Sequence, residues 1–300
     1  MQFRADSLGL AGSVTTIMAE LIHERLGLSH DASQFDQMGE RLAPLVVARG
    51  LSSFIDYYYV LKYSDDAGEW GKVMDALAIP ETYFWREIDQ LRAVVDRIVP
   101  ELVQRGRGRP IRIWSAPCAS GEEPLTLAML LNEEGWFDRA PLEITASDAS
   151  PSAIAKARAG VYGGRAFRSL PAAMREKYFT AAGSTQWRVS PDLQRRVCYD
   201  VVNLVDDEAT GRHADGVPVI FCRNMFIYFS DRSIQHVVSV FARAMATPGY
   251  LCLGASESLM RLSTRFELAE IGGAFVYVKP ESADADRPTT AHPAGAESLR

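Results

Sequence analysis

The sequence predicts an α/β fold: a doubly wound sheet that carries a small inserted antiparallel β-subdomain and is preceded by a small all-helical domain. Three observations support it. Ile111 to Ala116 reads as a short apolar strand. It runs through a turn of small residues into a helix bearing Leu125, Leu127, Ala128, Leu130 and Leu131, the opening β-α unit of such a sheet. Apolar runs at 142–147, 217–222 and 250–254 supply further buried strands, with helical periodicity at 151–159 and 231–245 between them. Residues 1–79 show helical spacing and no strand-like alternation.

In chain order, Ile17, Leu21, Ile22 and Leu26 form one helical stripe, which Gly27 closes as a C′ residue. Further helices are expected over 34–49, ended by Gly50, over 51–62, with Tyr57, Tyr58 and Tyr59 in helix packing, and over 67–78. Residues 80–110 read as a linker segment and a helix. Pro80 interrupts a polar-aromatic stretch of the kind that walls a ligand between domains, a packed and solvated linker being the alternative. A helix over about 88–104 and the basic loop Arg105 to Pro110 lead into the sheet domain, 111–280. Its inserted lobe, about 161–200, takes a helix near 171–179 and strand-like stretches at Trp187 to Val189 and Arg196 to Tyr199. Residues 206–216 read as a polar loop and Ala274 to Lys279 as the last strand. The tail, 281–300, is polar and aperiodic and is expected to be disordered.

Composition narrows the function classes. Three hundred residues at 47% hydrophobic give ample core for one large or two modest domains. A net charge of −6 argues against a dedicated nucleic-acid binder. That charge is uneven: residues 1–79 hold six Lys/Arg against eleven Asp/Glu, whereas 86–112 hold seven Arg against four acids. No apolar run reaches membrane-span length and no signal-peptide core opens the chain, so a cytoplasmic protein without membrane insertion is expected. The four cysteines are scattered with no C-x-x-C, which fits free thiols and no metal.

The turn after the first strand selects the ligand. It has neither the glycines of G-x-G-x-x-G nor the Gly-Lys-Ser/Thr of a phosphate loop. Glu122 and Glu123 instead stand where a phosphate requires N–H groups and positive potential. Such a pair suits a ligand with an amino group and a sulfonium, such as S-adenosylmethionine; an acidic first helical turn that complements the macrodipole is the alternative. Ser120 and Glu123 have capping-box spacing, and Pro124 falls in the first turn, where its missing N–H costs nothing. Asp148, at the tip of the second strand, is placed to accept hydrogen bonds from ribose hydroxyls. Asp148 and Ser150 also suit a cap for the helix at 151–159, which Gly160 closes.

Four stretches coincide in order and spacing: Glu81-Thr-Tyr-Phe-Trp-Arg86, Trp114-Ser-Ala-Pro-Cys-Ala-Ser-Gly-Glu-Glu-Pro124, Phe221-Cys-Arg-Asn-Met-Phe-Ile-Tyr-Phe229 and Gly254-Ala-Ser-Glu-Ser258. Together they closely resemble the chemotaxis receptor glutamate O-methyltransferase family, over roughly residues 15–280. The resemblance implies a class I methyltransferase domain with S-adenosylmethionine as donor, S-adenosylhomocysteine as product, and glutamates on chemoreceptor cytoplasmic helices as acceptors. It implies that Thr82, Arg86, Glu122, Asp148, Asn203, Leu204, Asn224 and Met225 line the cofactor pocket, with Arg86 and Tyr228 nearest the transferred methyl group. On this reading Glu122 meets the methionyl ammonium and Glu123 is the cap. Pro80 stands where well-known members have Asn, Trp85 where Phe is common and Leu125 where Tyr is common. The Ala181–Trp187 loop is shorter than in members that tether to a receptor's C-terminal pentapeptide, which implies pentapeptide independence. The acidic balance of 1–79 departs from the basic N-terminal helix that members use against receptors. A monomer is expected.

A glutamate side chain, with a pKa of about 4.3, is already ionised at neutral pH, so attack on a sulfonium methyl needs no general base. His23, His30, His213, His236 and His292 accordingly fall outside the four stretches. Arg86 is expected to position the carboxylate and Tyr228 to align it or the cofactor. A methyltransferase of another protein or of a small carboxylate, and a non-catalytic module that senses the cofactor, are the competing readings; the acidic single-glycine turn disfavours a nicotinamide oxidoreductase.

Overall fold

The computed structural model describes residue 8 and residues 12–64, 66–79, 81–106 and 108–281. Pro80 and the 282–300 tail, on which two of the expectations above fall, lie outside the described residues.

Four helices come first: α1 (Gly12–Leu26), α2 (Phe35–Ala48), α3 (Phe54–Tyr63) and α4 (Ala67–Leu77). Local chemistry sets their ends. Gly27, at φ 75°, ends α1 and donates its N–H to the His23 carbonyl at 2.9 Å. Ser53 and Asp66 cap α3 and α4 by accepting from the N–H groups of Asp56 and Glu69. Glu69 is buried and receives Tyr57 Oη at 2.9 Å, Arg49 Nη1 at 3.1 Å and Lys72 Nζ at 2.9 Å. The expected helix at 88–104 is three pieces: α5 (Ile88–Ala93), a π-helical turn (Val94–Ile98) and α6 (Val99–Gly106). Pro100 lacks an N–H and crowds the carbonyl four residues back, and the wider turn absorbs that conflict.

The strands are β1 (Ile111–Ser115), β2 (Leu142–Asp148), β3 (Val161–Gly163), β4 (Phe179–Ala181), β5 (Gln186–Val189), β6 (Val197–Val201), β7 (Val219–Cys222), β8 (Gly249–Leu253), β9 (Glu267–Ile271) and β10 (Ala274–Lys279). Between them lie α7 (Glu122–Glu133), α8 (Trp136–Arg139), α9 (Pro151–Ala159), α10 (Ala172–Tyr178), α11 (Pro191–Gln194), α12 (Asp207–Ala214) and α13 (Asp231–Ala244). The main sheet has the order β6-β2-β1-β7-β8-β10-β9. Its first five strands are parallel, and β10 runs antiparallel to β8 and β9. The strand order reverses at β1, so the carboxyl ends of β1 and β7 flank the switch-point crevice. A separate antiparallel sheet, β3-β5-β4, forms the inserted lobe.

Three expectations change. Arg196 to Tyr199, placed in the lobe from sequence, belongs to β6, which pairs parallel with β2 from Ile144↔Val197 to Asp148↔Val201. As an edge strand it buries only Val197 fully, so its alternation imitates a half-exposed antiparallel strand. Residues 206–216 contain α12 rather than only loop. Asp206 caps it, and its inner face uses the small residues Thr210 and Ala214, which leave no apolar stripe. The strand β9 escaped notice, although Gly272-Gly273, at φ 61° and 83°, is a two-residue hairpin turn to β10.

Helices cover both faces of the sheet. On one face Trp114, Ile220, Cys222 and Leu251 pack with α13 and with Met18, Ile22, Leu42 and Phe54 of the first helices. On the other, Ile113, Val219, Phe221 and Cys252 pack with Leu91, Val95 and Ile98, with α7, and with Tyr162, Phe167 and Phe179 of the lobe. The four N-terminal helices therefore share a core with the sheet. Among the described residues no helix is long and apolar enough to cross a membrane.

Candidate active site

One cleft opens between the N-terminal helices and the carboxyl edge of the sheet. Its floor is the turn after β1. Cys118 N donates to the Ser147 carbonyl at 2.8 Å and Ala119 N to Asp148 Oδ2 at 2.9 Å, so the turn is sewn to the end of β2. Gly121, at φ 94°, occupies the N-cap position of α7 and offers no side chain there. The expected capping box is thus absent: Ser120 Oγ donates to Glu122 Oε2 at 2.8 Å, and Glu123 turns inward. Glu123 accepts Ser115 Oγ at 2.7 Å and Arg223 Nη1 at 3.1 Å. The left-handed glycine redirects Ser120, and the buried guanidinium draws Glu123 to the sheet edge.

The cleft brings together Thr82, Arg86, Asp148, Asn203, Leu204, Asn224, Met225 and Tyr228 from four separated stretches. Glu122 is buried but does not line it; Glu123 does. Asp148 is buried, with Oδ1 accepting from Ser150 N at 2.9 Å and Oδ2 from Ala119 N. Ser150 Oγ is the cap of α9, accepting from Ala153 N, so Asp148 braces the turn rather than capping the helix. Burial pushes the Asp148, Glu122 and Glu123 carboxyls above the usual range, with Arg223 opposing the rise at Glu123.

Other predicted residues carry structural bonds as well. Asn203 Nδ2 donates to the Arg25 carbonyl at 2.7 Å, and its Oδ1 accepts from Val205 N at 3.3 Å, so this side chain ties the end of α1 to the loop after β6. Tyr228 lies on a 3-10 turn (Phe226–Tyr228), and its carbonyl accepts from Ser29 N at 2.8 Å. Arg86 is partly exposed and donates from Nη1 to the Glu81 carbonyl at 2.7 Å, its guanidinium 5.7 Å from the Tyr83 ring centroid.

Several site residues were missed. Arg223, 2% exposed in its side chain, pairs with Glu87 and Glu123, both at 3.1 Å. Burial would raise the Glu87 carboxyl, but Arg223, Asn224 and the Ala255 N–H beside it hold it below its ordinary value. Glu257 accepts Asn224 N at 2.8 Å, Gly254 N at 2.7 Å and Phe226 N at 2.6 Å, which clamps the loop after β7. A lone Arg directly after a fully apolar strand was the available signal for Arg223. His30 lines the cleft from the segment after α1, and burial, with Arg41, lowers its pKa. Among the described residues the non-glycine positions at positive φ are Trp85 (72°), Glu87 (46°), Ala119 (46°) and Asn224 (58°). All four flank the cleft, and each costs about 1–3 kcal/mol that the surrounding bonds must offset.

The cleft is therefore lined by the carboxylates of Asp148 and Glu123, by the guanidiniums of Arg86 and Arg223 and by Tyr228, with no cluster of His, Cys, Asp and Glu fit for a metal among the described residues. The chain matches the family described as "CheR methyltransferase, SAM binding domain" over residues 80–274. It is 32% identical to chemotaxis protein methyltransferase 2 of Vibrio cholerae over 269 residues, covering 89% of this chain and 93% of that one. It is 33% identical to a Pseudomonas putida protein named "Probable biofilm formation methyltransferase WspC", covering 91% of this chain and 63% of that one. It is also 33% identical to chemotaxis protein methyltransferase 1 of Pseudomonas aeruginosa, covering 68% and 76%. With a matched segment that spans most of the chain and holds every strand-end residue of the cleft, the chain belongs to the CheR family of S-adenosylmethionine-dependent chemotaxis methyltransferases.

Proposed function

We propose that this enzyme esterifies glutamate side chains on the cytoplasmic helices of chemoreceptors, acting in the cytoplasm and without need of a receptor C-terminal pentapeptide. The observation that carries the reading is that one cleft is lined by Asp148 and Glu123 together with Arg86 and Tyr228. The donor set fits S-adenosylmethionine. Each carboxylate oxygen of Asp148 takes one N–H and keeps a second lone pair, which suits ribose hydroxyls. Glu123, rather than Glu122, is the carboxylate in reach of an ammonium group, because Glu123 lines the cleft. When bound, the cofactor supplies an electrophilic methyl group on a sulfonium.

The protein's residues do the rest. Arg86 holds the ionised acceptor by a charge-assisted hydrogen bond, and Tyr228 aligns it, so that orientation and exclusion of water lower the barrier. No residue has to remove a proton, because the acceptor arrives as a carboxylate. The four-residue connection between β4 and β5, 182–185, supports independence from the pentapeptide.

Transfer of labelled methyl from S-adenosylmethionine to receptor-bearing membranes, with the acceptor residues mapped, tests the reading. Esterified glutamates are expected, with Arg86→Ala and Tyr228→Phe each slowing turnover on the order of 10²-fold. Added pentapeptide should neither bind nor change the rate. Wild-type rates in both variants would remove the assigned roles, and binding of the cofactor without turnover on any receptor would point to a sensor.

A further inference from the structure

Glu87 does not line the cleft, yet it contacts three side chains that do, Arg86, Arg223 and Asn224. Its Oε1 accepts from Asn224 Nδ2 at 3.3 Å and lies 3.8 Å from Arg86 Nε. Its Oε2 accepts from Arg223 Nη2 at 3.1 Å and from Ala255 N at 3.2 Å. Arg223 in turn donates to the carbonyls of Arg86 at 3.0 Å and Glu87 at 3.2 Å, and to Glu123 at 3.1 Å. Three chain segments, 85–87, 223–224 and 254–255, therefore meet on one carboxylate.

Strain identifies what the network resists. Trp85, Glu87 and Asn224 all hold left-handed φ, which side-chain-bearing residues abandon unless bonds hold them. The Arg86 peptide lies between two of these residues, so the direction of its guanidinium depends on them. Without the carboxylate, the buried Arg223 loses one of its two anions, and a buried charge left half-paired reorganises its surroundings.

We propose that Glu87 is a positioning residue for methyl transfer: held outside the cleft, its carboxylate fixes Arg86, Asn224 and Arg223 in one relative geometry. The proposal rests on the methyl-transfer reading above and deepens it. Glu87 touches neither acceptor nor cofactor; it determines where Arg86 meets the acceptor carboxylate.

The test compares Glu87→Gln and Glu87→Asp with the wild-type chain. Gln keeps the volume but removes the charge and turns a donor toward donors. Its kcat on receptor membranes should fall on the order of 10²-fold, the usual consequence of misplacing a reacting group by about 1 Å. The KM for receptor and the Kd for S-adenosylhomocysteine should stay within about threefold, because Glu87 contacts neither ligand. Asp should recover part of kcat. Hydrogen exchange on the full chain with S-adenosylhomocysteine bound should quicken in Glu87→Gln at 84–88 and 223–226 and stay unchanged in β1. Wild-type kcat, a loss of product affinity equal to the loss of kcat, or exchange that quickens evenly across the sheet would each overturn the proposal. A wild-type chain that methylates no receptor overturns the functional reading instead, and the exchange pattern then decides the role of Glu87 without turnover.

Discussion

Glu122 and Glu123 are adjacent and chemically alike, but one left-handed glycine gives them different work. Gly121 at φ 94° starts α7 so that Glu122 packs beneath the turn and Glu123 reaches Ser115, Arg223 and the cleft. Because burial raises the Glu123 carboxyl, it is protonated at higher pH than an ordinary glutamate, and a protonated carboxyl does not attract an ammonium group. S-adenosylhomocysteine should therefore bind more weakly as pH falls through that raised range, as read by calorimetry. Glu123→Gln should weaken binding about tenfold at neutral pH and flatten this dependence, whereas Glu122→Gln should leave the slope in place. Equal effects of the two substitutions would return the ammonium contact to Glu122. Glu87 has the opposite sign. Its lowered pKa adds stability above the ordinary value of 4.5, and that stability is lost as pH falls through the folded-state value.

At the scale of elements, the segment after α1 links the helical region to the site. Ser29 N bonds the Tyr228 carbonyl, Leu28 bridges Phe229, and Asn203 holds the Arg25 carbonyl. Gly27 makes this approach possible: a Cβ there would lie 2.8 Å from Phe229 and Val205, at a φ of 75°. Gly27→Ala should cost about 1–2 kcal/mol from the left-handed backbone alone, with the steric conflict adding to it, measurable by denaturant unfolding. Turnover should fall with it, because Tyr228 loses its backbone anchor. An unchanged midpoint would show that the strap relaxes freely. Gly27 itself was legible from sequence as a helix end; its contact with Phe229, some two hundred residues away, was not, because helix-stop chemistry is local and the contact is not.

For the whole molecule, the N-terminal helices and one face of the sheet share a single buried cluster, from Met18 and Phe54 to Trp114 and Phe241. Elements that share a core lose it together. Calorimetry should show one cooperative transition for 12–281, and two resolved transitions would show that the helical region folds on its own core. The acidic helices thereby serve as the roof of the cleft, through Leu26, Met38, Met74 and Leu77.

Local rules were enough to read much of this protein. Strand, turn and helix at 111–131, the helical stripes of the first 79 residues, and the glycine stops at 27, 50 and 160 follow from periodicity and backbone sterics between near neighbours. The resemblance carried by the four ordered stretches also named eight residues that line the cleft, five of them within those stretches. What tertiary structure alone decided involves partners distant in sequence: the assignment of β6 to the main sheet, the turn of Glu123 toward Arg223, and the meeting of Glu87 with Arg223, Asn224 and Ala255. A buried charge is stable only beside its counter-charges, and the chain does not list which of its many carboxylates those will be until it has folded.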